Sequence, residues 1–357
     1  MRDFLPKDIR GIRRHLLEWY GREARDLPWR RTRDPYAIWL SEILLQQTRV
    51  DQGLPYYERF IAAFPTVAAL AAADEERVLK AWEGLGYYAR ARNMQKAARV
   101  ILNERNGLLP ATLEEWQSLP GVGRYTAGAV ASIAYGVRAP VLDGNVKRVL
   151  SRLLDVEESI DDPAMTEALW ERAATLVPRD APGDFNQGMM ELGARICVPR
   201  GPRCGECPVR KHCLAFQLGT QELRPVRKAR KAVPFHETVG LIIRRNGRYL
   251  LAKRPAKGLL SGLWEFPGGK VEPGESHADA LHRIAREHLG VEVKVGGVVA
   301  VVDHAYSHLK VRLSLYACAL AKGTPKANAH DDLRWVPRGQ FDLYAFPNVN
   351  RKILHLL

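Results

Sequence analysis

The sequence predicts a multidomain chain, all-α in its first part and α+β in its second, and three observations lead there. From Lys7 to about Phe216 apolar residues recur three and four apart, the spacing of a helix face. From Thr238 onward the pattern changes to β-branched or alternating runs, the mark of strands. Between the two, Gly219 to Pro234 carries Arg224, Arg227, Lys228, Arg230 and Lys231 with two prolines and little apolar content, the composition of a linker that can also touch a DNA backbone. The expected division is a helical region 1–216, a basic linker 217–235 and a second domain 236–357, and 357 residues are enough to give two domains their own cores.

In the first part the helical spacing is clearest over Ala37 to Arg49, Asp74 to Glu83, Ala89 to Leu102 and Pro163 to Leu176, with Pro or Gly in the turns between. In the second, Thr238 to Ile243, Tyr249 to Ala252, Gly297 to Val302 and Val311 to Leu320 read as strands. One helix interrupts them, Ser276 to Leu289, with Ser276 as its N-cap and Gly290 as its stop. The longest uncharged apolar stretch, Thr126 to Val137, is too short to span a bilayer, and the start from Met1 to Pro6 lacks an apolar signal core. A cytoplasmic, nucleoid-associated bacterial protein is the expectation. The 54 Lys and Arg against 40 Asp and Glu leave a formal charge of +14, which points to a polyanionic partner, nucleic acid first among them. An anionic membrane is the weaker choice, because no amphipathic basic helix stands out.

Four cysteines, Cys197, Cys204, Cys207 and Cys213, follow the spacing C-x6-C-x2-C-x5-C, with Pro199, Pro202 and Pro208 bending the backbone between them. Four thiolates so close can converge on one metal centre, and both an iron-sulfur cluster and a structural zinc site take that number. Zinc sites usually show two separated C-x2-C pairs, whereas here one such pair sits between two longer arms, which favours the cluster. Two disulfides or free surface thiols are the plainer reading, disfavoured in a reducing compartment. Cys318 reads as an ordinary buried thiol.

Leu119-Pro120-Gly121-Val122-Gly123 joins two helical stretches, and two glycines around a small apolar residue allow a tight turn with backbone N–H groups aimed at an anion. A connecting turn without a ligand is the bland alternative. Two carboxyl residues invite acid–base chemistry. Glu42 lies beside Ile38 and Leu45 at helical spacing, where burial would raise its pKa, although most helical glutamates are solvated. Asp143 precedes a helix from Val146 to Leu154, whose N-terminus could hold it ionised or which it could simply cap. A protonated carboxyl and an ionised one are what cleavage of an N-glycosidic bond needs, one to protonate the departing base and one to face the cation-like sugar.

The hairpin, continuing Arg124-Tyr125-Thr126-Ala127, resembles the helix-hairpin-helix element of the endonuclease III superfamily of DNA glycosylases, which carries an aspartate about twenty residues on and a [4Fe-4S] loop of this cysteine spacing. Ser41-Glu42-Ile43-Leu44-Leu45-Gln46-Gln47-Thr48-Arg49-Val50 resembles, more narrowly, the S-E-x-x-L-Q-Q-T-x-V signature of adenine DNA glycosylases of the MutY family. The resemblance implies a six-helix module over about 28–136 and a cluster module from 1–27 and 137–216. It implies that Glu42 protonates a flipped adenine, that Asp143 stabilises the sugar cation and that water then attacks. Gln47, Thr48, Leu85 and Tyr87 would enter the duplex beside the mispair, with Gly121 and Gly123 at a phosphate. Trp29, Arg30 and Gln187 would line the adenine pocket. Superfamily members that also cut the strand have lysine where this chain has Tyr125, so little strand cleavage is implied. Tyr125 and Asn145 would then hydrogen-bond around Asp143 or the sugar.

In the second domain Gly269 to Glu275, followed after seven residues by Arg283 to Val291, resembles a Nudix box with Ile284 and His288 in place of two of its acidic residues. Divalent metal depends on those carboxylates, so their loss argues against hydrolysis of a pyrophosphate. By resemblance this domain reads 8-oxoguanine opposite the adenine through Tyr306, Ser307 and His308. The expected protein is thus a monomeric, monofunctional glycosylase that removes adenine from opposite 8-oxoguanine or guanine in double-stranded DNA, and carries a [4Fe-4S] cluster. Rivals are a nucleotide pyrophosphohydrolase with a helical DNA-binding appendage and a lesion sensor without enzymatic activity.

Overall fold

Four helices begin on a proline, where the missing N–H costs nothing and the fixed φ suits the first turn: Pro6, Pro35, Pro163 and Pro182. Asp34 and Asp162 cap two of them, accepting the N–H of Tyr36 and of Ala164 at 3.0 Å each. The computed structural model describes residues 3–229, 232–306 and 309–357. It divides into two compact units, one of residues 1–71 and 96–230, the other of 72–95 and 231–357.

The helices of the chain's first part run α1 (Pro6–Glu23), α2 (Pro35–Leu44), α3 (Val50–Ala63), α4 (Val67–Ala72), α5 (Glu75–Ala81), α6 (Ala89–Glu104), α7 (Leu113–Gln117), α8 (Arg124–Tyr135), α9 (Gly144–Leu153), α10 (Pro163–Leu176), α11 (Pro182–Arg195) and α12 (Leu214–Leu218). In the first unit α2 is buried on every side from Tyr36 to Leu44, and α8 is buried from Thr126 to Ile133. These two pack together, and α11 packs on α1, α8 and α9. The apolar stretch from Thr126 to Val137, rich in Ala and Gly, is therefore a core helix as far as Ile133, its small residues admitting close neighbours, and the helix ends at Tyr135. A Cβ on Gly128 would lie 2.3 Å from the Pro140 carbonyl oxygen. The helix expected over Ala37 to Arg49 stops at Leu44, because Gln47 takes a left-handed φ of 59° and the chain re-enters a helix only at Val50. Part of the stretch read as a linker is fastened to this unit: Arg224 is buried, 2.9 Å from Asp155 and 3.1 Å from Glu157, and the Lys228 N–H donates to Asp161.

The second unit is built on a seven-stranded sheet: β1 (Phe235–Arg245), β2 (Arg248–Lys253), β3 (Trp264–Glu265), β4 (Gly268–Lys270), β5 (Glu292–Ala305), β6 (Lys310–Lys322) and β7 (Asp332–Pro337). The order is β3-β2-β1-β6-β5, with β4 on β1 and β7 on β2; β1 and β6 run parallel and the other pairs antiparallel. Asn246 and Gly247, both at positive φ, close the β1–β2 hairpin. Side chains alternate between two cores: Val239, Leu241 and Ile243 pack beneath helix α13 (His277–Leu289), while Ile242, Leu251 and Leu315 join Trp264, Phe266 and Phe346 on the other face. Ser276 caps α13 and Gly290 ends it at φ 66°, as expected. The turn from Trp82 to Tyr88 belongs to this unit, the Phe346 N–H donating to Glu83 at 2.8 Å and the Tyr88 hydroxyl to the Phe346 carbonyl at 3.3 Å.

Candidate active site

Glu42 sits in the last turn of α2 and is only 7% exposed. Tyr125, in the first turn of α8, donates its hydroxyl to Glu42 Oε2 at 2.5 Å and approaches Met190 Sδ on α11 at 3.1 Å. Asp143 caps α9: its Oδ1 accepts the Val146 N–H at 2.7 Å and its Oδ2 the Asn145 side-chain amide at 3.0 Å. One cavity of about 800 Å³ takes in Glu42, Tyr125, Asp143 and Asn145, with Trp29, Arg30 and Gln187 also on its wall. The fold thus brings three helix ends from distant parts of the sequence to one hollow. Gly193 makes the approach of α11 to α9 feasible, since a Cβ there would lie 2.6 Å from Asn145 Cβ.

The two carboxyls differ in their surroundings. Burial lifts Glu42 to about 7, against the pull of the Tyr125 hydroxyl; the Asp143 charge raises it further and Arg30 lowers it. Burial raises Asp143 too, but the Val146 N–H, the Asn145 amide and the Arg148 charge oppose the rise. Burial and the neighbouring Glu42 charge push Tyr125 well above the phenol range, so it stays a donor. One carboxyl that holds a proton near neutrality and one supplied with donors for its charged form are suited to general-acid and cation-stabilising work respectively.

Three further residues belong to this site that the sequence reading did not name. Glu191 on α11 is 1% exposed and bound by Arg25 at 2.7 Å and Arg30 at 2.8 Å, bonds that overcome burial and hold it down to about 2. Met190 faces Tyr125 as described. Arg148 donates to Asn145 Oδ1 at 2.8 Å, to the Gly193 carbonyl at 2.8 Å and to the Cys197 carbonyl at 2.7 Å, tying the Asp143 cap to the start of the cysteine loop. The four-residue step from Gln187 to Glu191, which keeps both on one helix face, was the available signal for Glu191.

Gln47 and Thr48 line the same cavity, and Gln47 holds its left-handed backbone there. Such strain in a residue with a Cβ persists only where surroundings impose it. Tyr87, in the second unit, is another case, with φ 48° and 41% exposure, while Leu85 is buried. Gly121 takes φ 76°, which a side chain would resist; Gly123 is extended and caps α8, with open space where a Cβ would stand. The hairpin therefore leaves room for a close backbone approach.

Cys197, Cys204, Cys207 and Cys213 line one small cavity of about 20 Å³, none in a disulfide. Burial followed by the nearby thiols pushes the Cys213 thiol up to about 11, and Cys207 rises to about 12. Four sulfurs that repel one another as thiolates suit a shared cationic centre. Among the described residues no three His, Cys, Asp or Glu side chains are set to hold a single metal ion. Arg152 fixes the loop, donating to Cys197 Sγ at 3.3 Å and to the Val198 carbonyl at 2.7 Å.

In the second unit Ile284 is fully buried in the core, and both oxygens of Glu275 are taken by Arg283 at 2.8 Å. Of the two carboxylates that remain of the Nudix-like box, Glu275 is thus already paired, and Glu287 lies 3.5 Å from the same guanidinium. The Tyr306 N–H donates to the Leu309 carbonyl at 2.8 Å across the turn between β5 and β6, and Ser307 and His308 lie outside the described residues.

A helix-hairpin-helix fold with paired carboxyls in one cavity and a four-cysteine loop defines the chain as a base-excision DNA glycosylase. Residues 40–175 match the HhH-GPD superfamily base excision DNA repair protein family, and residues 238–356 match the NUDIX domain family. The chain is 35% identical to the adenine DNA glycosylase of Rattus norvegicus over 98% of its own length and 78% of that protein. It is 36% identical to that of Homo sapiens over 98% and 74%, and 37% identical to that of Buchnera aphidicola subsp. Acyrthosiphon pisum (strain APS) over 71% and 72%. Among solved structures, a thermostable thymine-DNA glycosylase superposes with TM-score 0.54 at 33% identity, covering 59% of this chain and 98% of that one. An endonuclease III–DNA complex shares the fold with TM-score 0.52 at 24% identity, over 61% and 99%. The chain belongs to the adenine DNA glycosylase (MutY) family. No helix among the described residues is long and apolar enough to cross a membrane.

Proposed function

We propose that this adenine DNA glycosylase is monofunctional: it hydrolyses adenine from opposite 8-oxoguanine or guanine in double-stranded DNA and cuts the strand little or not at all. The observation that carries this reading is the single cavity in which Glu42, Tyr125 and Asp143 meet, with a tyrosine where strand cleavage would call for an amine. Adenine leaves the stack, its place filled by Gln47, Thr48, Leu85 and Tyr87, while Gly121 and Gly123 hold a phosphate. Trp29, Arg30 and Gln187 enclose the base. Glu42 gives the base its proton, Asp143 faces the sugar as positive charge develops, and water completes the substitution, with Tyr125 and Asn145 orienting the two carboxyls. The domain 236–357 reads the opposing lesion through Tyr306, Ser307 and His308, and the enzyme acts as a cytoplasmic, nucleoid-associated monomer. Cys197, Cys204, Cys207 and Cys213 would hold a [4Fe-4S] cluster, which when bound supplies a rigid cross-link to the loop that Arg148 and Arg152 tie to α9.

The deciding assay uses duplexes that differ only in the base opposite adenine, each with and without later alkali. Adenine release is expected opposite 8-oxoguanine and guanine but not opposite thymine, with strand breaks only after alkali. Breaks that keep pace with base release in the absence of alkali would refute the monofunctional assignment. The pH profile is a second check. Glu42 must be protonated and its pKa is about 7, so single-turnover release should fall about tenfold per pH unit on the alkaline side. Asp143 must be ionised, so release should also fall on the acid side, giving a bell. A profile that climbs through pH 8 would exclude Glu42 as the acid.

A further inference from the structure

Behind the base pocket lies a second cavity of about 360 Å³, entirely within the first unit, that the reaction just described does not use. Its lining includes Tyr20, Gly21 and Ala24 from α1 and the segment following it, together with Asp26, Thr32 and Asp184. Arg25, Arg30, Ile133 and Gln187 line both this cavity and the one that holds Glu42 and Asp143, so those four side chains form the partition. Two of them are pinned: Arg25 and Arg30 are both held by Glu191, and Arg30 also by the Arg25 carbonyl and the face of the Tyr20 ring. Gln187 is not. It is 7% exposed, and neither of the arginine–Glu191 bonds involves its side chain. Its amide, which lines both cavities, stands where a base would pass from one to the other.

We propose that the second cavity is an exit subsite for the free purine base, reached past Gln187. The idea rests on the glycosylase reading. Once the bond is cut the abasic strand still covers the side by which the nucleoside entered, and the base needs another way out if it is to leave before the DNA. The volume suits a small planar ligand. Free adenine carries an imidazole N–H that the nucleoside lacks, as well as its amino group, and these donors match the Asp184 carboxylate, which is only loosely paired with Arg33 at 3.7 Å. The subsite therefore favours product over substrate. A larger side chain at Gly21 would have room to enter the cavity, since no atom lies within 4 Å of where its Cβ would stand.

The test uses the chain with Gly21→Trp and Ala24→Trp, two exposed positions at the end of α1 that do not line the cavity of the carboxyls, and Gly21→Ala as the control that removes the glycine without filling the space. A duplex carries tritiated adenine opposite 8-oxoguanine and a phosphorus label on the strand, with enzyme in excess. Denaturing quench reads bond cleavage; filter retention reads whether base and DNA stay with the protein. The wild type and Gly21→Ala should shed the base while the DNA is still retained. Both tryptophan variants should cleave within about twofold of wild type and hold the base about tenfold longer. Base release at the wild-type rate from both tryptophan variants overturns the exit subsite, and so does a wild type whose base leaves only together with the DNA. Slow release from Gly21→Ala equal to that of Gly21→Trp would assign the delay to the lost glycine and overturn it too. A wild type that liberates no adenine refutes the glycosylase reading itself.

Discussion

Replacing Glu42 by Gln is expected to leave binding to a duplex with an adenine mispair intact and to slow adenine release by about 10³-fold or more. The amide occupies the same volume and can still accept the Tyr125 hydroxyl, now at 2.5 Å from Oε2, so the cavity keeps its shape. It cannot deliver a proton to a departing purine. Nor should the variant unfold. Because burial raises the Glu42 pKa above its ordinary 4.5 to about 7, the folded chain holds that proton more tightly than the unfolded chain does. The resulting stability is present below about 4.5 and is lost as pH climbs to about 7. Gln has no charge to bury, so at pH 8 the variant should melt no lower than the wild type. Filter binding, single-turnover release and a melting curve at pH 8 together make the check. Release within tenfold of wild type would remove Glu42 from the chemistry.

Much of this site was legible because its chemistry rides on local signals. The residues around Glu42, the glycine turn before Tyr125 and the cysteine spacing are each short enough to be read in one window, and the fold then gathers Glu42, Tyr125 and Asp143 around one cavity. Helix boundaries were legible where caps announce them, as with Pro163 and Leu176 or Ser276 and Gly290. The end of α2 was not, because the apolar spacing continues past Leu44 while a left-handed Gln47 breaks the helix. Glu191 escaped notice since its partners Arg25 and Arg30 lie more than 160 residues away, and no local period encodes an ion pair across that distance. For the same reason nothing in the spacing of Ala72 to Gln95 showed that these helical residues would bond to Phe346 and join the second unit. Strand β5 outgrew its expected span because bulges between Val295 and Ala300 interrupt the alternation that a strand pattern relies on.

Asp143→Asn separates a catalytic carboxylate from a helix cap, and here the two readings give opposite results. Asparagine caps helices as well as aspartate does, so its carbonyl oxygen can keep the Val146 N–H bond seen at 2.7 Å and the melting temperature should hardly move. The lost charge is another matter. In a buried cavity a carboxylate facing a developing sugar cation acts through little screening, and its removal should lower single-turnover release by about 10² to 10³-fold. The new amide would also meet the Asn145 amide, donor against donor, where a 3.0 Å bond now stands; Asn145 cannot readily turn, because Arg148 holds its oxygen at 2.8 Å. The loss should therefore fall on bond cleavage with DNA affinity retained, and the acid limb of the pH profile should vanish, since the group that must ionise there is gone. Were Asp143 only a cap, Asp143→Asn would release adenine as fast as the wild type and Asp143→Ala would lose stability and activity in proportion. A variant that keeps its melting temperature and loses its rate leaves the carboxylate charge as the cause.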